Sequence, residues 1–158
     1  MSSHVQPEIE QNMPNASEYT FGIVVAEWNG HITKKLYEGA VKALKNYGAL
    51  DENIITVYVP GSFELTFGTK YLITKKNVDA VIAIGAVIRG ETPHFDYICQ
   101  AVTHGLTELN LMYDIPVVFG VLTTNDEQQA LDRSGGPVGN KGYEAAVAAI
   151  KMAALNKN

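Results

Sequence analysis

The chain has 158 residues, 46% of them hydrophobic, and a formal net charge of −5. That is one ordinary domain, long enough to bury a real core, and it excludes the broad basic surface that nucleic acid would need. No apolar run is long enough to span a membrane, and the single cysteine, Cys99, excludes an internal disulfide framework and suits a reducing compartment.

Met1 to Thr20 is polar, with Pro7 and Pro14 among Asn, Ser and Glu. It reads as a flexible arm, residues 1–20, unless a neighbouring subunit pins it. It has neither an arginine nor an apolar stretch, so it resembles neither a signal nor a transit peptide, and the expected location is cytoplasmic.

Residues 21–158 read as a single domain. Phe21 to Ala26 is a near-continuous apolar run, as in a strand covered on both faces. After Asn29-Gly30, apolar residues from Ile32 to Tyr47 recur at helical spacing, and Gly48 stops them. Ile54 to Val59 is a second strand, ended by Pro60-Gly61, and a helix follows through Leu65 to about Lys75. Val78 to Ile88 is the third strand. A polar turn, Arg89-Gly90-Glu91, leads into a helix from Pro93 to about Tyr113, with Thr92 expected as N-cap and Pro93 at the first helical position. Cys99 falls within that helix and reads as a small buried side chain. Pro116 to Leu122 is the fourth strand. Thr123 to Asp126 caps a short helix to about Arg133; residues 134–139 read as a linker; an alanine-rich helix runs from about Asn140 to Leu155.

Strands alternating with helices give an α/β fold with a mainly parallel sheet of about four strands. So small a sheet leaves edges to cover, for which an oligomer or an arm crossing to a neighbour would serve.

Ligands bind beyond the carboxyl ends of such strands, so the residues after each strand belong together. They are Glu27-Trp28-Asn29, Pro60 to Glu64, the turn from Arg89 to His94, and Phe119 with Thr123 to Asn125. Flat apolar surfaces, polar anchors and an imidazole suit a planar, polyhydroxylated ligand with a phosphate nearby. A strand running into a helix N-terminus is a natural anion site, and His94 lies just inside that helix. Position alone leaves alternatives open: Trp28 as a cap on the core, Glu64 as a partner of the helix dipole, His94 as a surface residue, Arg133 and Lys141 as a solvated pair. His4, His31 and His104 have no companion at metal-ligand spacing, so no metal is assigned. Gly135-Gly136 lacks the lysine and hydroxyl residue of a phosphate loop.

Four segments in register resemble the 6,7-dimethyl-8-ribityllumazine synthase (lumazine synthase) family: Pro60 to Leu65, Gly85 to Tyr97, Phe119 to Thr123, and Arg133-Ser134-Gly135 through Asn140-Lys141-Gly142. Order and spacing match from about Phe21 to the C-terminus. The resemblance implies a flavodoxin-like three-layer fold. It also implies condensation of 5-amino-6-(D-ribitylamino)uracil with 3,4-dihydroxy-2-butanone 4-phosphate, the penultimate step of riboflavin synthesis, with no metal or organic cofactor.

Carried over, Trp28 stacks on the pyrimidinedione, at a position where the family often has phenylalanine. Asn29, Ser62, Phe63 and Glu64 hold the ribityl chain and the ring's polar groups, and Ala86, Val87 and Ile88 line the ring pocket through backbone groups. Glu91 and Thr92 form the phosphate-binding turn, and His94 transfers protons. Phe119, Arg133 and Lys141 come from the other side of a subunit interface, with Arg133 on phosphate and Lys141 reaching the pyrimidine. Thr66 stands where many relatives have proline.

The resemblance further implies a pentamer. The short linker at 135–139 favours a sixty-subunit shell over free pentamers, and riboflavin synthase is a partner the family allows. An alternative from another class is a catalytically weak flavin-binding, lumazine-binding or shell-forming protein on the same fold.

Overall fold

The computed structural model describes residues 7–157; Met1 to Gln6, His4 among them, and Asn158 lie outside the described residues. Four strands form one parallel sheet in the order β2-β1-β3-β4: β1 Phe21–Ala26, β2 Ile54–Val59, β3 Ala80–Ile88 and β4 Val117–Thr124. Five helices cross between or flank them: α1 Gly30–Asn46, α2 Leu65–Lys75, α3 His94–Met112, α4 Glu127–Arg133 and α5 Lys141–Lys157.

The strand period of two sorts the core into two layers. Phe21, Ile23 and Val25 of β1, with Ile82 and Ile84 of β3, pack under α1 and α5. Their neighbours in sequence, Val24, Ala26, Val81 and Ala83, pack on the other face against α2 and α3. Both faces are therefore apolar, which is why β1 and β3 read as unbroken hydrophobic runs. The result is a three-layer, flavodoxin-like α/β fold.

Helices α1 and α5 lie almost backbone to backbone. A Cβ on Gly142 would fall 1.9 Å from the carbonyl oxygen of Leu36, so only glycine permits this approach. Asn140 fixes the start of α5. Its Oδ1 accepts from the N–H groups of Gly142 and Tyr143 at 2.9 and 3.1 Å, while its Nδ2 donates to Lys35 O on α1 at 2.9 Å.

Several boundaries differ from the sequence expectation, β3 among them, which starts at Ala80 rather than Val78. Helix α3 starts at His94, with Pro93 in the cap position and no side-chain cap; Thr92 does not cap it. Strand β4 continues to Thr124, because Val87 and Ile88 of β3 stand beside Thr123 and Thr124 as partners. Residues 134–139, read as a linker, carry a small antiparallel hairpin, β5 Ser134–Gly136 and β6 Gly139–Asn140, which Gly135 and Gly139 permit with φ of 121° and 89°.

The described part of the N-terminal segment is laid on the body of its own chain. Ala16 is buried, and its N–H donates to Tyr47 O at 2.8 Å. The Tyr47 hydroxyl donates to Glu10, and that bond, with burial, holds the phenol well above its usual pKa. No helix among the described residues is long and apolar enough to cross a membrane.

Candidate active site

The carboxyl ends of β1, β2 and β3 open onto a cavity of about 460 Å³ lined by Trp28, Asn29, Gly61, Ser62, Phe63, Glu64, Ala86, Val87, Ile88, His94 and Ile98. The turn after β1 is built first. Asn29 is left-handed (φ 59°, ψ 42°), a conformation asparagine tolerates, and its Nδ2 donates to Ala86 O at 2.9 Å. That bond ties the first turn to the end of β3. The Trp28 N–H donates to Pro60 O at 2.9 Å, which leaves the indole 75% exposed at the cavity mouth.

After β2, Glu64 folds back so that Oε2 accepts the Gly61 N–H at 3.0 Å. The helix-start role and the cavity-lining position thus coexist in one side chain. Ser62 is buried, and Phe63 is 59% exposed. After β3, the turn leaves His94 exposed at the first position of α3.

Phe119, Arg133 and Lys141 are elsewhere. With Val121, Leu122, Thr123 and Thr124 they line a second hollow of about 340 Å³ along β4 and α4. Arg133 donates from Nη1 to Gln129 O at 3.1 Å. Lys141 is only 2% exposed, and its Nζ lies 2.8 and 2.9 Å from the two carboxylate oxygens of Glu144. A charge so buried needs a hydrogen-bonded partner. Glu91 and Thr92 are exposed on the turn and line neither hollow.

Within one chain, then, the structure gathers nine of the sequence-derived residues in one cavity: Trp28, Asn29, Ser62, Phe63, Glu64, Ala86, Val87, Ile88 and His94. It gathers Phe119, Arg133 and Lys141 in another. Sequence reasoning missed Ile98 and Glu144. Each had a spacing signal, Ile98 one helical turn after His94 and Glu144 three residues after Lys141. Cys99 is half-buried; burial first, and Asp96 second, push its thiol up, against a smaller lowering by Arg89.

A flavodoxin-like sheet whose strand ends carry an apolar, aromatic-rimmed cavity with a few polar groups defines an α/β protein with a candidate ligand site at the carboxyl edge. The family model described as 6,7-dimethyl-8-ribityllumazine synthase matches residues 18–157. Curated relatives carry the same description. One from Parabacteroides distasonis is 62% identical over 141 residues, covering 89% of this chain and 88% of the relative. Another, from Phocaeicola vulgatus, is 58% identical, covering 89% and 84%. A third, from Flavobacterium psychrophilum, is 55% identical, covering 94% and 78%. The chain belongs to the 6,7-dimethyl-8-ribityllumazine synthase family, a family of transferases in riboflavin biosynthesis.

Proposed function

We propose that the chain condenses 5-amino-6-(D-ribitylamino)uracil with 3,4-dihydroxy-2-butanone 4-phosphate, at a site completed by a neighbouring copy. The observation that carries the reaction is the family match across residues 18–157; what supports the roles is how the cavity is furnished. Trp28 offers an exposed ring for stacking the pyrimidinedione, and Phe63 lines the same cavity. Glu64 presents its Oε1 to ribityl hydroxyls while Oε2 holds the Gly61 turn. Ala86, Val87 and Ile88 wall the ring, and Asn29 and Ser62 supply polar contacts at its rim.

The ring amine attacks the ketone and water leaves to give an imine; phosphate is then eliminated, and the ribityl-bearing nitrogen closes the second ring with loss of water. Each step moves a proton. His94, exposed at the cavity wall, is the group that gives and takes it, since an imidazole nitrogen can either donate or accept a proton. Glu91 and Thr92 form the phosphate turn through backbone groups at the start of α3. Arg133 of an adjacent subunit pairs two phosphate oxygens with its fork. Lys141, held by Glu144, reaches the pyrimidine from the same side as Phe119. Holding both reactants supplies much of the acceleration, up to about 7–11 kcal/mol in the best cases.

A shared site requires a ring of copies, and the pentamer is that ring. Phe67 and Tyr97, 74% and 68% exposed on the side of α2 and α3, are the kind of surface such a ring covers. The compact hairpin at 134–140 favours closure of pentamers into a sixty-subunit shell; light scattering that found only species of about five chains would rule the shell out.

The test of function is direct. Purified protein mixed with the two substrates should raise lumazine absorbance well above the uncatalysed condensation, and no excess rate would overturn the proposal. Trp28 also supports a second property, retention of a tricyclic flavin. Riboflavin titrated against the fluorescence of this tryptophan would quench it if the flavin stacks there.

A further inference from the structure

Arg89 is the first residue beyond β3. Its backbone N–H donates to Thr124 O at 2.8 Å, extending the pairing with β4. Its side chain then doubles back over the turn. Nη2 and Nη1 donate to Asp96 Oδ1 and Oδ2 at 3.0 and 3.4 Å, and Nε donates to Asn125 Oδ1 at 3.3 Å. The guanidinium carbon sits 4.2 Å from the centre of the Phe95 ring. Two edges and one face of the fork are engaged, the arrangement in which arginine is least replaceable by lysine.

What the clamp holds is His94. Gly90 to Pro93 are all exposed, and α3 begins without a side-chain cap. The usual means of fixing the first helical residue is therefore missing. Arg89 grips Phe95 and Asp96, the two residues after His94, from a strand end fixed by backbone pairing. The turn becomes a closed loop with the imidazole at its rim. Through Asn125 the same guanidinium reaches the loop that leads into α4, the helix that ends at Arg133.

We infer that Arg89 is a positioning residue for the reaction: it fixes the first turn of α3 so that His94 keeps its place on the cavity wall. The inference rests on His94 as the proton carrier. It differs from direct phosphate binding, because the guanidinium already faces a carboxylate. It differs from a stabilising role, because the pair is 43% and 50% exposed, and ion pairs so open to water contribute little to folding.

The test measures kcat, both KM values and thermal melting for Arg89→Ala, Asp96→Asn, His94→Ala and each of the first two combined with His94→Ala. Arg89→Ala should melt near the parent and lose about tenfold in kcat, within the roughly hundredfold that an ångström of misplacement can cost. Asp96→Asn should lose less, in the same direction. On the His94→Ala background, either change should alter kcat by less than about twofold, since a group acting through His94 has nothing left to position. An equal loss on both backgrounds overturns the inference, as does an unchanged kcat in Arg89→Ala. A rise confined to KM for the butanone phosphate would make Arg89 a phosphate ligand instead. If Arg89→Ala does not fold, the Asp96→Asn pair decides by the same comparison. A His94→Ala protein with unchanged kcat overturns the assignment of His94, and this inference with it; additive losses on an impaired His94→Ala protein overturn this inference alone.

Discussion

In the proposed reaction His94 and Arg133 do different chemistry and should fail differently. An imidazole that relays protons acts on the rate of bond changes, not on how tightly the reactants sit. His94→Ala should therefore lower kcat by roughly a hundredfold while a rate above the uncatalysed condensation survives, because the cavity still brings the reactants together. A fully assembled His94→Ala protein with no such rate would contradict that division of labour. Arg133, as the proposed phosphate ligand, acts on binding. Its loss removes a charge-assisted fork from phosphate, so Arg133→Ala should raise KM for the butanone phosphate by about tenfold or more. The KM for the ribitylaminouracil should hardly move. Initial-rate measurements with each substrate varied in turn separate the two outcomes, and equal changes in both KM values would mean that Arg133 shapes the site as a whole.

At the scale of elements, the α1–α5 contact carries the sharpest structural prediction. Gly142→Ala would place a methyl group 1.9 Å from Leu36 O and 2.6 Å from its carbonyl carbon, and neither backbone can yield without sliding a helix. The expected loss is about 2 kcal/mol or more, seen as a melting point several degrees lower at equal chain concentration. An unchanged melting point would show that the two helices can move apart at little cost. The elements themselves were legible because their patterns are unambiguous. Phe21–Ala26 and Ile54–Val59 are β-branched or apolar runs closed by turn residues, and they stand as β1 and β2 within those bounds. What was not legible depends on partners distant in sequence. Thr123 and Thr124 look like capping residues until Val87 and Ile88 of β3 lie beside them. Thr92 is a different case: it looks like an N-cap, yet α3 begins at His94 with Pro93 in the cap position and no side-chain cap. The site divides in the same way. The strand-end residues could be grouped because parallel strands share a carboxyl edge. Their separation into two hollows follows the strand order, which puts β4 at the opposite edge of the sheet from β2, and spacing does not carry that order.

At the scale of the whole molecule, the proposed shared site sets how copies would meet at the two hollows. One chain offers His94 with Ala86, Val87 and Ile88 on one cavity wall, and offers Arg133 with Lys141 and Phe119 in a different place. If neighbours in a ring pair these surfaces head to tail, each site draws on two chains, and the contact is of the heterologous kind that closes into a ring. Subunit complementation is then expected. His94→Ala and Arg133→Ala chains, unfolded together and reassembled in equal amounts, form some sites in which a chain with intact His94 faces a chain with intact Arg133. Random placement around a heterologous ring gives such a pairing at about one site in four. Measured with the butanone phosphate held low, where each parent is weak, the mixture should recover about a quarter of the wild-type rate, far above either variant assembled alone. A site built within one chain predicts only the average of the two weak parents, because every chain then carries one lesion or the other in its own site. Recovery requires that chains exchange, so the same proteins mixed after separate assembly should stay at the average. A rate at that average in the co-assembled sample, with light scattering showing the same assembly as the wild type, would place the complete site within a single chain and remove the reason for the ring.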